Sequence, residues 1–284
     1  AEYLRLSGIV CVSQELKEQV RQRNPADTTV KRIPYGVAIP TRAVEHTPRR
    51  FRIAYVGRLA EEQKRISELT HALIRVCRAI PGAEAVLYGD GPDKDRVEQI
   101  LAKEGQGVQV RLAGRLPNSA IENELLECDV IALLSDYEGL PIALLEAMAC
   151  GCVPVCLEMQ SGIPELIQHD VSGLIVKDRE DSFLAAMQSL AADPMLRQRL
   201  SKNARRTIVE QYSQEQSADR WADHLHELAK QSSRRTFSVP RRIVLPKRNP
   251  ALESAEQRLA SPSGVNKFLR RSRMWAGRIR RRLR

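Results

Sequence analysis

FRIAYVGRLAEEQKRISELTHALIRVCRAIPGAEAVLYGDGP, residues 51–92, changes its hydrophobic period twice and so decides the fold class. FRIAYVG is a short apolar run that stops at Gly57, as a strand buried on both faces would. ISELTHALIRVCRAI then sets Ile66, Leu69, Leu73, Val76 and Ile80 at helical spacing. EAVLYGDGP returns to an apolar strand that ends in a glycine turn. Strand, helix and strand in this order predict a parallel pair joined by a crossover helix, because no hairpin can join parallel strands.

The alternation continues downstream. DKDRVEQILAKEG, NSAIENELLE, IALLEAMAC, IPELI, DSFLAAMQSLAA and PMLRQRLSKNARRTIVEQY read as helices, and VQVRLAG, CDVIALLS, VPVCL and GLIV as strands. The expected fold class is α/β: a Rossmann-like parallel sheet with helices on both faces over residues 48–212. Ahead of it, residues 1–47 hold strand, helix and strand (GIVCVS, QELKEQVRQR, TTVKRIPYGV) and a polar link through Pro40. They read as the remnant of a preceding domain. The chain opens on Ala1 and enters a strand at once, which reads as a fragment without a secretory leader. SQEQSADRWADHLHELAKQ predicts a helix over 213–231, and Pro, Arg and Ser dominate from 232 to 284.

Net charge is +10 over 284 residues, but it is unevenly spread. Residues 231–284 carry 16 Lys and Arg against Glu253 and Glu256, leaving 29 basic and 33 acidic residues in the rest. The basic character therefore belongs to the tail. NKFLRRSRMWAGRIRRRLR, residues 266–284, sets Phe268, Trp275, Ile279 and Leu283 at helical spacing among eight arginines. A basic amphipathic helix of this kind can lie on anionic lipid; a solvated tail or a nucleic-acid contact explains the charge as well. The rest of the chain is mildly acidic and poor in aromatics, which argues against nucleic acid as its partner. No apolar run approaches the roughly 20 residues of a membrane span. The six cysteines lie mostly in apolar settings, as buried thiols of a reducing compartment do. Cys150, Cys152 and Cys156 lack the paired C-x-x-C spacing of a zinc site, and His224 and His226 would point to different sides of a helix.

Ligands of parallel sheets bind beyond the carboxyl ends of the strands, here the loops after Val56, Tyr88, Ala113 and Leu134. Arg58 follows the first of these, with Lys64 six residues on, a pair suited to two phosphate groups; a solvated basic turn beside Glu61 and Glu62 is the alternative. In SDYEGLPIALLEAMACGCVPVC, residues 135–156, Pro141 fits a helix start and the amides after Gly139 would face an anion. Glu146 is the one charge in an otherwise apolar helix, so it needs a structural Arg or a polar cleft. Glu138 lies in the turn, where solvent alone could satisfy it. The YGDGP turn is read as allowing close approach of a ligand.

Taken in order, SGIVCVS, IPYGV, VGRL with Lys64, YGDGP, AGRLPN, SDYEGLPIALLEAMACGCVPV and SGIPELI resemble the carboxyl-terminal domain of the retaining glycosyltransferases of family 4, over about residues 7–212. That family has the GT-B fold of two facing Rossmann-like domains. The resemblance implies that Gly57, Arg58 and Lys64 meet the diphosphate of a UDP- or GDP-sugar, with Gly114, Arg115 and Leu116 near the base. Glu138 and Glu146 match the family's E-x7-E, Glu138 beside the donor sugar with Arg58 and Lys64 in the catalytic set, Glu146 on the ribose. Gly139, Leu140 and Pro141 would lie against phosphate and sugar, and Glu165 matches a position of less defined role. No metal or other cofactor is implied, the nucleotide sugar being a co-substrate, and the acceptor would be a glycan or a lipid-linked sugar. The setting implied is the cytoplasm, with the tail on the inner face of the plasma membrane. Most of the amino-terminal domain is absent from this chain. A sugar-nucleotide 2-epimerase of related fold and a non-catalytic nucleotide-sugar- or nucleic-acid-binding fragment are the other readings.

Overall fold

The computed structural model describes residues 6–23, 28–46 and 51–231. The boundary at 47/48 and the amphipathic reading of 266–284 lie outside the described residues. The first unit is β1 (Ile9–Cys11), α1 (Gln14–Arg23) and β2 (Val30–Arg32), its two strands paired in parallel as a sheet of their own.

The second sheet begins with β3 (Arg52–Val56), α2 (Glu61–Lys64), α3 (Ile66–Ala79), β4 (Glu84–Tyr88), α4 (Lys94–Glu104) and β5 (Gln109–Gly114). It continues through α5 (Asn118–Leu125), β6 (Val130–Leu133), α6 (Ile142–Cys150), β7 (Val153–Leu157), α7 (Ile163–Leu166) and β8 (Leu174–Val176). Three further helices follow: α8 (Asp181–Ala192), α9 (Pro194–Gln211) and α10 (Gln214–Gln231). All six strands are parallel, in the order β5-β4-β3-β6-β7-β8. The chain builds outward from β3 to β5, then crosses to the other side of β3 and builds outward again. That reversal puts a topological switch point between β3 and β6, where doubly wound sheets open a crevice. Every residue of β6 and β7 is buried, which is why VIAL and VPVCL show no alternation.

The glycines of YGDGP admit a close backbone approach, and Gly89 also lines the cleft described below. A Cβ on Gly89 would stand 1.8 Å from the Gly57 carbonyl oxygen, and one on Gly91 2.3 Å from that of Leu59. What approaches so closely is the loop after β3, and the Gly57 amide completes the contact by donating to the Tyr88 carbonyl at 3.0 Å.

At the opposite, amino-terminal end of the sheet a buried carboxylate joins four segments. Asp129 Oδ2 accepts from the Arg52 amide at 3.0 Å, and Oδ1 lies 3.0 Å from His46 Nδ1 and 4.0 Å from Arg197 Nε. The side chains of His46, Asp129 and Arg197 are only 2%, 1% and 5% exposed. Arg197 also donates to the Leu190 and Ala191 carbonyls and lies over the Phe51 ring.

Glu165 takes up a structural position between the two units. Its Oε1 accepts from the Gln14 amide at 2.5 Å, at the start of α1, and its Oε2 lies 2.6 Å from Arg32 Nε. Helix α10 returns to the first unit through Lys31–Glu227 at 2.6 Å and Ser217 Oγ donating to the Pro34 carbonyl at 3.0 Å. Its Trp221 and Leu225 remain exposed, while His224 is buried and His226 is not. All six cysteines are buried free thiols; burial pushes Cys77 and Cys150 up to about 12. Among the described residues no helix is long and apolar enough to cross a membrane.

Removing one partner of a buried charge network leaves the others unpaired. Asp129→Ala is therefore expected to cost about 3 kcal/mol of stability, measured from the urea midpoint. A loss below about 1 kcal/mol would mean that Asp129 does not fasten the sheet.

Candidate active site

Three of the four strand-end loops predicted to carry chemistry meet in one cleft of about 290 Å³. The loop after β3 contributes Val56, Gly57 and Arg58, the loop after β4 Tyr88, Gly89 and Asp90, and the loop after β5 Arg115 and Leu116. Ile121 of α5 and Glu146 of α6 close it.

Arg58 is exposed, with no ion pair among the described residues, and its backbone is pinned by the buried Tyr55 hydroxyl, which donates to the Arg58 carbonyl at 2.8 Å. Burial raises the Tyr55 phenol far above its ordinary value, so it stays a neutral donor. Gly114 sits at the end of β5 with φ +74°, in the left-handed region that suits glycine, and its carbonyl accepts from the Gly89 amide at 2.9 Å.

Glu146 is half-buried and has no ion-pair partner among the described residues. Of its two sequence readings the polar cleft is the one observed, with no Arg paired to it among the described residues. Burial raises its carboxyl above the ordinary range, as it does for any acid whose charged form loses water.

Lys64 and Glu138 are brought together, but against each other. Lys64 Nζ lies 2.5 Å from Glu138 Oε1, with the two side chains 13% and 7% exposed. Gln63 adds its side-chain amide, donating to the Tyr137 carbonyl at 2.9 Å and reaching Glu138 Oε2 at 3.4 Å. Glu138 is thus no solvated turn residue, and neither partner lines the cleft. The pair lies beside the cleft across the switch point, near Tyr55, whose phenol feels the Glu138 charge.

Gly139, Leu140 and Pro141 run on from Glu138, Leu140 and Pro141 being buried. The Gly139 carbonyl accepts from the Gly162 amide at 2.9 Å, and the missing Gly139 side chain would face Leu16 and Val12 of the first unit. Pro141 caps α6 from an extended conformation, one residue before the first helical position. The helix is more open than its all-apolar sequence implied, since Ile142 is exposed. The amides of Ile142 and Ala143 have no intrahelical acceptor, as at any helix start. Glu165 is remote in role, tied to α1 and β2 rather than to the cleft.

Sequence reasoning missed Asp90, Ile121, Tyr55 and Gln63. Asp90 was accessible by the strand-end rule that found Arg58, and Gln63 immediately precedes Lys64. Tyr55 and Ile121 gave no signal, being apolar positions in a strand and a helix. Chemically the cleft offers Arg58 and Arg115, cations without an ion pair among the described residues, and a half-desolvated carboxylate, Glu146. That combination suits a ligand with an anionic part and a hydroxyl-bearing part.

The sequence model described as "Glycosyl transferases group 1" matches residues 41–207. The alpha-D-kanosaminyltransferase of Streptomyces kanamyceticus is 28% identical over 177 residues, 62% of this chain and 45% of that protein. The amylovoran biosynthesis glycosyltransferase AmsK of Erwinia amylovora is 34% identical over 152 residues, 50% and 35% of the two chains. Among solved structures, a TarM variant from S. aureus superposes with a TM-score of 0.70 at 18% identity, covering 77% of this chain and 44% of that one. HepE of Anabaena does so at 0.68 and 21%, covering 78% and 63%. At such identities the superpositions speak to the fold, which is that of GT-B glycosyltransferases. The chain spans less than half the length of these two curated relatives. The matched residues make up more than half of the chain, which belongs to the glycosyl transferases group 1 family.

Proposed function

We propose that this chain supplies the donor-binding half of a retaining glycosyltransferase of family 4, which transfers a sugar from a nucleotide-diphosphate sugar to a glycan or lipid-linked acceptor. The observation that carries the reading is the convergence of Arg58, Arg115 and Glu146 on one cleft beside the Lys64–Glu138 pair. TarM and HepE were solved with UDP, which favours a uridine donor. AmsK acts in amylovoran biosynthesis and another relative is a subunit of a phosphatidylinositol N-acetylglucosaminyltransferase, which favours saccharide or lipid-linked acceptors.

In this reading Arg58 and Lys64 hold the diphosphate, Glu146 the ribose hydroxyls, and Gly114 to Leu116 the base. As the sugar leaves, negative charge develops on the diphosphate and positive charge on the anomeric centre. Fixed cations stabilise the first and the Glu138 carboxylate the second, so Glu138 acts electrostatically, with no covalent role. The reading assigns no step to a metal. The reading places the acceptor site on the amino-terminal domain of the GT-B fold. The setting is cytoplasmic, with residues 266–284 on anionic lipid at the inner face of the plasma membrane.

Calorimetry with UDP tests the phosphate assignments. Arg58→Ala is expected to weaken binding about tenfold or more, as loss of a charge-assisted contact does. Lys64→Ala should weaken it further, because Glu138 is then left unneutralised beside the phosphates, and Lys64→Ala with Glu138→Gln should recover part of the loss. Unchanged affinity in both single variants would sink the assignment.

Glu146→Gln separates burial from binding. The folded Glu146 carboxyl keeps its proton to a higher pH than an unfolded one, near about 4.3, so wild-type stability falls as pH rises through that window. Without ligand, the Gln variant should therefore be the more stable at neutral pH, with a gap that closes in acid. It should bind UDP several-fold more weakly, yet bind 2′,3′-dideoxy-UDP as the wild type does. Equal losses for both nucleotides would refute the ribose role.

For the tail, co-sedimentation with anionic vesicles, but not neutral ones, is expected, and deletion of residues 264–284 should abolish it. Equal binding after the deletion would remove the membrane from the proposal.

A further inference from the structure

The segment from Leu134 to Glu138 leaves the sheet at the switch point, and its path decides where the Glu138 carboxylate stands. The β6–β7 ladder ends at Leu133 opposite Cys156, so the Leu134 carbonyl lies just beyond the last paired residues. That carbonyl is taken up by a residue far away in sequence. Arg179, between β8 and α8, donates from Nε to the Leu134 carbonyl at 2.8 Å. Another of its nitrogens meets the Asp136 carboxylate, and Nη1 lies 3.2 Å from Glu68 Oε2 on α3. Its side chain is 17% exposed.

Asp136 is held from the other side as well. Its amide donates to the Gln63 carbonyl at 2.9 Å, and its carboxylate lies 3.7 Å from Arg65 Nε. Arg65 occupies the left-handed region at φ 48° between α2 and α3, and its guanidinium also pairs with Glu68. Residues 134 to 138 are thus anchored on one side by α2 and on the other by Arg179.

We propose that Arg179 is a positioning residue for Glu138: its guanidinium fork fixes the Leu134 carbonyl and the Asp136 carboxylate together and so sets the backbone that carries Glu138. The role of Glu138 in this statement rests on the glycosyltransferase reading above; the anchoring of the segment does not. A contribution to overall stability is a poor account of the network. Asp136 and Glu68 are 43% and 39% exposed, and ion pairs with so wet a partner contribute little to folding. A planar fork that meets a carbonyl and a carboxylate together fixes geometry, which a point charge such as Lys cannot do.

Amide hydrogen exchange, read by mass spectrometry on the whole chain with and without UDP, tests this. In Arg179→Ala, exchange across residues 134–140 should rise about tenfold or more, with β3, β4 and the loop at 57–60 unchanged and the melting temperature nearly so. Arg179→Lys, which keeps the charge and guards against a variant that fails to fold, should show most of the same rise. Unchanged exchange at 134–140, a rise spread over the whole sheet, or full rescue by Lys would each overturn the proposal. A wild type that does not bind UDP would defeat the donor reading, while the exchange pattern would still judge Arg179.

Discussion

A parallel sheet can open a crevice at its carboxyl edge only if its strands are fastened elsewhere, and Asp129 does the fastening here. The ladder between β3 and β6 is short: Ile53 pairs with Val130 and Ala54 with Ile131, against five registered pairs between β3 and β4. Below those pairs the Asp129 carboxylate binds the first amide of β3, faces His46 from the linking segment and approaches Arg197 of α9. Above them the two strands share no further rungs. The amino end of the switch point is closed by a buried charge and the carboxyl end is left open.

That asymmetry explains the two kinds of contact around the loop after β3. Toward β4 the ladder runs to its end, and only glycine at position 89 lets the loops touch backbone to backbone. Toward β6 the strands share no rung beyond Ala54–Ile131, so one backbone bond, from the Asp136 amide to the Gln63 carbonyl, and side chains span the gap: Lys64 to Glu138, and Gln63 to Tyr137 and Glu138. One side of the Arg58 loop is therefore fixed by packing and the other by charge.

How much of this the sequence disclosed depended on the range of the interaction. Periodicity is local, so FRIAYVG, CDVIALLS and VPVCL announced buried strands, and the strand-end rule then pointed to the loops after Val56 and Ala113, in which the family resemblance named Gly57, Arg115 and Leu116. Glu146 was legible for a related reason: a carboxylate in an apolar helix demands an explanation whatever the fold. Pairings across many residues were not legible. Nothing in QKR or YEG says that Lys64 and Glu138, both read as facing a donor, face each other first. Arg179 stands in the polar string KDRED, where an exposed loop is the natural reading, and its partners come from the segment after β6 and from helix α3. Asp129, read as the polar lead into an apolar strand, gave no sign that its carboxylate takes the first amide of β3.

The Lys64–Glu138 pair also limits how the site can work. Two mostly buried charges that neutralise each other need no ligand, unlike Glu146 in the cleft, which has no ion-pair partner among the described residues. Arg58 and Arg115, cations without an ion pair among the described residues, are the exposed ones, which water can satisfy. An anion entering the cleft meets those first. To reach Lys64 it must share the ammonium with Glu138, and any gain in the new contact is offset by loosening the old one. By linkage the converse holds: whatever loosens Glu138 strengthens the hold of Lys64 on the anion. The carboxylate that would face the sugar and the ammonium that would face the phosphate are thereby coupled before any ligand arrives, through one contact of 2.5 Å.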